Sequence, residues 1–397
     1  MENYRKFALY IAAAVLFVFL AVPLALTSWN QVCARKEVSG SVKTHLAIAK
    51  DFLGKKDYSR ALLSLTKARE IDPNNPAIQT NIFLSRVLHF SENPDTFENR
   101  DIEDLKYEAA FLKNSGDFSK FENNFDALLA HIKIRTGKSD DGVTSYNKII
   151  EKEQNNLAAN IGLAFYYLND KEKTDDAVAK FNLVLSAAPE NISALRGLSR
   201  AMFMKGDYDG VIKNCESLLK TSEDFTARFL LGAAYLSKGD NNKAIIALQR
   251  ATQLNNQSAD SFILLGDALL AAELGAEAES AYQSAYNLTR SPDSIFKLAR
   301  AYKQQKKFQQ AVTLLNELYK ADPQNLLVLF EFATVLEGAG MPNEALTLYK
   351  AIDGMPSAPQ GTDPKIFEQI KAFAKQRIDE FAKASQAAPQ ETPQGKK

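Results

Sequence analysis

Lys55-Lys56-Asp57-Tyr58-Ser59-Arg60-Ala61 runs on to Lys67-Ala68-Arg69-Glu70-Ile71-Asp72-Pro73-Asn74-Asn75, and the spacing inside this stretch decides the fold. A polar turn, a small residue, a helical run and a proline follow one another. Pro73 stands twelve residues after Ala61. The same interval separates Ala177 from Pro189 and Ala311 from Pro323, and Pro356 follows Ala345 by eleven. Working outward, Ala244, Ala278, Ala311 and Ala345 lie 34, 33 and 34 residues apart. A period of this length marks an array in which each unit is one helix pair stacked on its neighbours. The small residues let two antiparallel helices approach closely. The proline ends the second helix because it cannot donate the next backbone hydrogen bond. Gly239-Asp240 has the chemistry of the tight turn between helices.

Further copies carry more of the pattern. They include Gly206-Asp207-Tyr208, Leu231-Gly232 with Tyr235 and Ala244, and Leu265-Gly266 with Ala278 and Ala285. Tyr302, Phe308 and Ala311 lead to Ala321-Asp322-Pro323, and Gly340, Ala345 and Tyr349 come last. The pattern resembles the tetratricopeptide repeat, a helix-turn-helix unit of about 34 residues. The resemblance implies an all-α, right-handed superhelical solenoid of about nine helix pairs. They fall at about 42–75, 76–116, 117–156, 157–190, 191–224, 225–258, 259–291, 292–325 and 326–359. Residues 42–156 hold the degenerate units, with the turn-rich Ser91-Glu92-Asn93-Pro94 and with Gly142 in the alanine slot. Residues 157–359 hold the regular ones, although Val211 takes the alanine slot of the fifth. No unit keeps the family tryptophan. Thr362-Asp363-Pro364 starts a capping helix within 360–385. Ile366, Phe367, Ile370, Phe373 and Ile378 are expected on its inner side, closing the last repeat. Residues 386–397, with Pro389 and Pro393 among polar neighbours, read as a disordered tail.

At the other end, residues 1–6 form a short tail. Phe7 to Leu26 is an unbroken run without charge, about the length that crosses a bilayer as a helix. Trp29 would sit at headgroup level, so the anchor is assigned to 7–29 and a linker to 30–41. A cleaved secretory signal is the rival reading. The length of the run and the poor candidate sites Pro23-Leu24-Ala25 and Ala25-Leu26-Thr27 favour an uncleaved anchor. Asn30-Gln31-Val32 before Cys33 fits lipidation badly. Arg5 and Lys6 favour a cytoplasmic N-terminus, while Arg35, Lys36 and Lys43 pull the other way. The nearer pair points to a single-pass protein of a bacterial inner membrane with the repeats in the periplasm.

Lys+Arg and Asp+Glu both number 48, and this balance argues against nucleic acid, whose phosphates need a basic stripe. Cys33 and Cys215 are the only cysteines, so no disulfide framework or CxxC exists. His45, His89 and His131 fall in different helix pairs and give no zinc motif. Phosphate loops, dinucleotide fingerprints and nucleophile elbows are absent from the sequence. The expectation is therefore no enzyme, no metal and no cofactor.

The resemblance implies that the first helix of each pair lines a concave side. Helical spacing places Ile161, Phe165, Arg196, Arg200 and Phe203 on it, then Phe229, Leu236, Ile263 and Asp267, then Leu270, Phe296, Arg300, Lys303, Phe330 and Thr334. Such a stripe, apolar with charged clamps, suits an extended or helical peptide. Arg196 and Arg200, one turn apart, could grip a carboxylate. Simple packing against neighbouring helices, or an internal ion pair, is the plainer alternative. The carboxylate clamp of some family members is not reproduced, since Leu46 and Lys50 occupy the comparable surface. Two functions follow. One is an anchored protein-interaction scaffold in a bacterial envelope, secretion or export machine. The other is a membrane receptor or co-chaperone-like factor that captures client polypeptides from the cytosol. Self-association is a third outcome.

Overall fold

The computed structural model describes residues 40–55, 57–92 and 122–387, and they are helical with short connections and no strand. The expected anchor at 7–29 and the tail beyond 387 lie outside the described residues. So does the second helix of the second unit, expected before residue 116. Among the described residues no helix is long and apolar enough to cross a membrane.

The described helices run in the following order. α1 covers residues 40–54 and α2 Tyr58–Ile71. α3 is Pro76–Glu92, α4 Glu122–Arg135 and α5 Ser139–Lys152. α6 (Leu157–Tyr167) and α7 (Thr174–Ala187) are joined through one 3-10 turn at Lys171–Lys173. Then come α8 (Ile192–Met204), α9 (Tyr208–Thr221), α10 (Phe225–Ser237) and α11 (Asn241–Leu254). α12 (Ala259–Ala271), α13 (Gly275–Leu288), α14 (Pro292–Gln304) and α15 (Phe308–Ala321) follow. α16 (Leu326–Gly338), α17 (Pro342–Asp353) and the longer α18 (Pro364–Ala387) complete the chain. Two compact units divide it, Met1–Ala201 and Met202–Lys397.

A cap fixes where each first helix begins. Asn156, Asn191, Asp224, Ser258, Ser291 and Asn325 precede α6, α8, α10, α12, α14 and α16. Their side chains accept from the N–H of Ala159, Ala194, Ala227, Ser261, Ser294 and Val328 at 2.8–3.3 Å. Each such bond satisfies an amide that the helix cannot, typically worth about 1 kcal/mol. The turn within a pair needs a residue in the left-handed region. Gly206, Gly239 and Gly340 supply it at φ 76°, 79° and 76°, and Glu273 and Lys306 are held there at 63° and 58°.

The alanine slot is buried in every pair whose second helix is described. Ala61, Ala177, Ala244, Ala278, Ala311 and Ala345 are wholly buried, as is Val211 in the fifth pair. Gly142 also fits, because a Cβ there would lie 2.5 Å from Ile134 and 2.8 Å from the Ala130 carbonyl. In the second unit a continuous apolar spine runs from Ala244 to Ala374. Its successive first helices touch one another. In the first unit, buried clusters lie around Val42 and Leu65 and around Phe83, Leu128 and Tyr146.

α18 closes the second unit through Phe367, Ile370 and Ala374, which are buried, with Ile378 packed beside them. Ile366 departs from its expected inner position and is 45% exposed. One residue along a helix turns the side chain by about 100°, so Ile366 falls at the flank of the stripe centred on Phe367 and Ala374, on the side of the similarly open Phe373. Phe373 is 40% exposed, yet its ring meets Phe330 at 5.4 Å and Tyr349 at 6.2 Å.

Candidate functional site

The first helices were expected to present a stripe of side chains, and the structure sorts those residues into three groups. Ile161 and Ile263 are buried. This corrects their assignment to an open surface: a first helix packs against two second helices, and its apolar arc is wide enough to take them inside.

The second group is half-buried and packed on the core along one edge. In the first unit it is Phe165, whose ring meets Phe181 edge-on at 5.2 Å. In the second unit it contains Phe203 (against Tyr208 at 5.5 Å), Phe229 (against Phe225 at 6.1 Å), Leu236, Leu270, Phe296 and Phe330. Arg196 is also half-buried, and Arg200 is exposed.

The third group is charged, and its charge is used inside the second unit. Asp267 on α12 accepts from the Tyr282 hydroxyl at 2.6 Å and from Lys297 Nζ on α14 at 2.7 and 2.8 Å. Glu331 on α16 accepts from Lys303 Nζ at 3.2 Å, with Arg300 Nε at 3.9 Å. Lys303 also donates to Thr334 Oγ1 at 2.7 Å. At the end, Glu337 pairs with Arg377 of α18 and accepts from the Tyr349 hydroxyl at 3.0 Å. Asp267 and Lys303 are therefore struts between successive first helices rather than free clamps for a partner. Arg300, on the edge of its carboxylate, is the most open of them.

Lys297, Glu331, Glu337 and Arg377 belong to this ladder and were missed by sequence reasoning. A signal was present in the spacing. Opposite charges recur 30 residues apart at Asp267–Lys297 and 28 apart at Lys303–Glu331. Those intervals are a repeat less one to two helical turns. Burial, and then the Asp267 carboxylate, push the Tyr282 phenol up. Burial pushes Tyr349 up to about 12. Among the described residues no cluster of His, Cys, Asp and Glu could hold a metal ion.

Stacked helix pairs with a repeating cap, alanine and turn define a helical-repeat protein of the two-helix type. Residues 293–325 match the tetratricopeptide repeat family, and residues 204–285 match the family described as anaphase-promoting complex, cyclosome, subunit 3. The chain therefore carries tetratricopeptide repeats within residues 204–325, and repeats of this kind support a protein–protein interaction scaffold. No curated protein matches it. Among solved structures it is similar to pilF of Pseudomonas aeruginosa, with 16% identity over 57% of this chain and 96% of that one, TM-score 0.46. It is also similar to YrrB, a TPR protein with an unusual peptide-binding site, with 20% identity over 46% and 95% of the chains, TM-score 0.39. MamA matches at 22% identity over 47% and 97%, TM-score 0.37. Likenesses this partial carry no functional argument.

Proposed function

We propose that this protein is a membrane-anchored scaffold that holds partner proteins or peptides on its first-helix side, with its repeats outside the cytoplasm of a bacterial envelope. The observation that carries the binding role is the row of half-buried Phe203, Phe229, Leu236, Phe296 and Phe330 in the second unit. Each has one edge on the core and another open, the condition in which an aromatic or leucine adds contact area to a partner without needing to be ordered first. In the first unit, Phe165, Arg196 and Arg200 supply an aromatic and two guanidinium groups on the first-helix side. The uncharged run from Phe7 to Leu26 supports the anchor, and Arg5 with Lys6 supports the sidedness. Assembly of a secretion, export or other envelope machine is the role that such an anchored scaffold would serve.

Crosslinking in membranes followed by purification of the full chain tests the scaffold, and failure to enrich any partner above background would remove it. Reversing Arg196→Glu and Arg200→Glu together is expected to weaken capture while leaving the helical content intact. Unchanged capture excludes that pair from the site. A topology reporter placed after α18 tests the sidedness. A cytosolic signal overturns the periplasmic reading and supports a receptor for cytosolic client polypeptides.

A further inference from the structure

The second unit holds a cavity of about 370 Å³ where the first turn of α14, the last turn of α15 and the first turn of α16 meet. Phe296, Leu318 and Val328 line it, and Leu327 borders it with half its surface exposed. Its size puts the cavity near the lower end of pockets that take small ligands, about 300–1,000 Å³.

Two carboxylates share this wall, Asp293 and Asp322. Among the described residues neither has a cation. Asp322 accepts from the backbone N–H of Gln324 at 3.2 Å and from the Asn325 amide at 3.4 Å, both neutral donors. Asp293, in the first turn of α14, has no side-chain partner at all among them. The basic residues flanking it are engaged elsewhere. Arg290 pairs with Glu317 at 2.9 Å and lies over the Tyr286 ring, and Lys297 is tied to Asp267. Every carboxylate of the neighbouring ladder is matched by a cation, so these two stand out as carboxylates without a cationic partner beside an apolar hollow, Asp293 being met only by the N-terminal turn of α14.

We propose that this cavity docks a partner segment in which a leucine, methionine or phenylalanine stands beside a lysine or arginine. The apolar side chain enters between Phe296, Leu318 and Val328 and covers Leu327. The basic neighbour meets Asp293 or Asp322. Burial of the side chain supplies affinity, and the two carboxylates supply selectivity, since an acidic flank would be repelled. The proposal rests on the scaffold reading and specifies the chemistry of one site within it.

The test is an array of short immobilised synthetic peptides probed with the full chain in detergent. Each carries one central leucine, methionine, phenylalanine or glycine, flanked by lysine, arginine, serine or glutamate. Binding is expected only with an apolar centre, and to rank basic over serine over acidic flanks. Asp293→Asn with Asp322→Asn keeps the local shape and should lower binding to the basic peptides several-fold. Asp293→Lys with Asp322→Lys should lower it by about tenfold or more, the scale of losing a close charge pair. Leu327→Ser should weaken binding to all of the peptides that bind. Far-UV circular dichroism and thermal melts establish that each variant is folded. Equal binding to acidic flanks, or binding indifferent to all three variants, overturns the proposal while leaving the scaffold in place. No binding to any peptide, with a partner still recovered by membrane crosslinking, has the same consequence. No binding together with no crosslinked partner removes both.

Discussion

Tyr146 places a hydroxyl where nothing among the described residues receives it. Its ring occupies the space left by Gly162, at which a Cβ would lie 2.2 Å from the phenol oxygen. That oxygen is buried without a hydrogen-bond partner among the described residues, and burial pushes its pKa up. An unmet buried hydroxyl costs about 1–3 kcal/mol. Tyr146→Phe keeps the ring and removes that cost, so chemical denaturation is expected to show a gain of about 1 kcal/mol. A loss would mean that the hydroxyl has a partner. Lys306 and Glu273 have the opposite problem, a side chain in a left-handed conformation that Gly137, Gly206, Gly239 and Gly340 adopt at equivalent turns. The left-handed conformation costs an L-residue roughly 1–2 kcal/mol, and glycine's extra freedom in the unfolded chain offsets part of it. Lys306→Gly and Glu273→Gly should each raise the melting temperature, by the equivalent of about 0.5 kcal/mol. Gly206, Gly239 and Gly340 announce their turns in the sequence. Glu273 and Lys306 do not, because only their place in the period, and nothing in their own chemistry, identifies the turn.

The helix pair was legible because its markers are local. A cap, a small residue and a terminating proline each act within one helix or one turn, so their spacing survives as a pattern in one dimension. Which side of a first helix faces outward was less legible. Ile161 and Ile263 lie on the flank that a neighbouring second helix covers, and a single-helix projection cannot contain that neighbour. The charged residues were misread for a related reason: Asp267 and Lys303 look free on their own helices and find partners on the next. The strength of those contacts should differ with burial. Lys297 and Asp267 are each about a quarter exposed, whereas Arg300 is half exposed and 3.9 Å from Glu331. Lys297→Ala leaves a partly desolvated carboxylate and should cost about 1–2 kcal/mol by denaturant titration, discounted for solvent from the full value of a charged hydrogen bond. Arg300→Ala should change stability by less than about 0.5 kcal/mol. Equal effects would show that the ladder is not graded by burial.

The buried tyrosines give the whole array a common response to alkali. Tyr282 and Tyr349 titrate above the ordinary phenol in the folded chain, Tyr349 at about 12. The unfolded phenol titrates near about 10. Below that value both states keep the proton and these groups add no pH dependence. Above it the unfolded chain releases protons that the folded chain retains, so stability falls by up to about 1.4 kcal/mol per pH unit for each tyrosine. Denaturation midpoints should hold level as pH rises to about 10 and then decline, and Tyr349→Phe should make the decline shallower. The strut between α12 and α14 also bears on how such a chain can change over generations. Glu331 holds the place in its unit that Lys297 holds 34 residues earlier. Recombination between similar repeats that removed residues 292–325 would keep the helical phase, yet it would seat the Glu331 carboxylate against that of Asp267. These repeats share a mould but are not interchangeable cassettes, and the number of units is guarded by the sign of the charges between them.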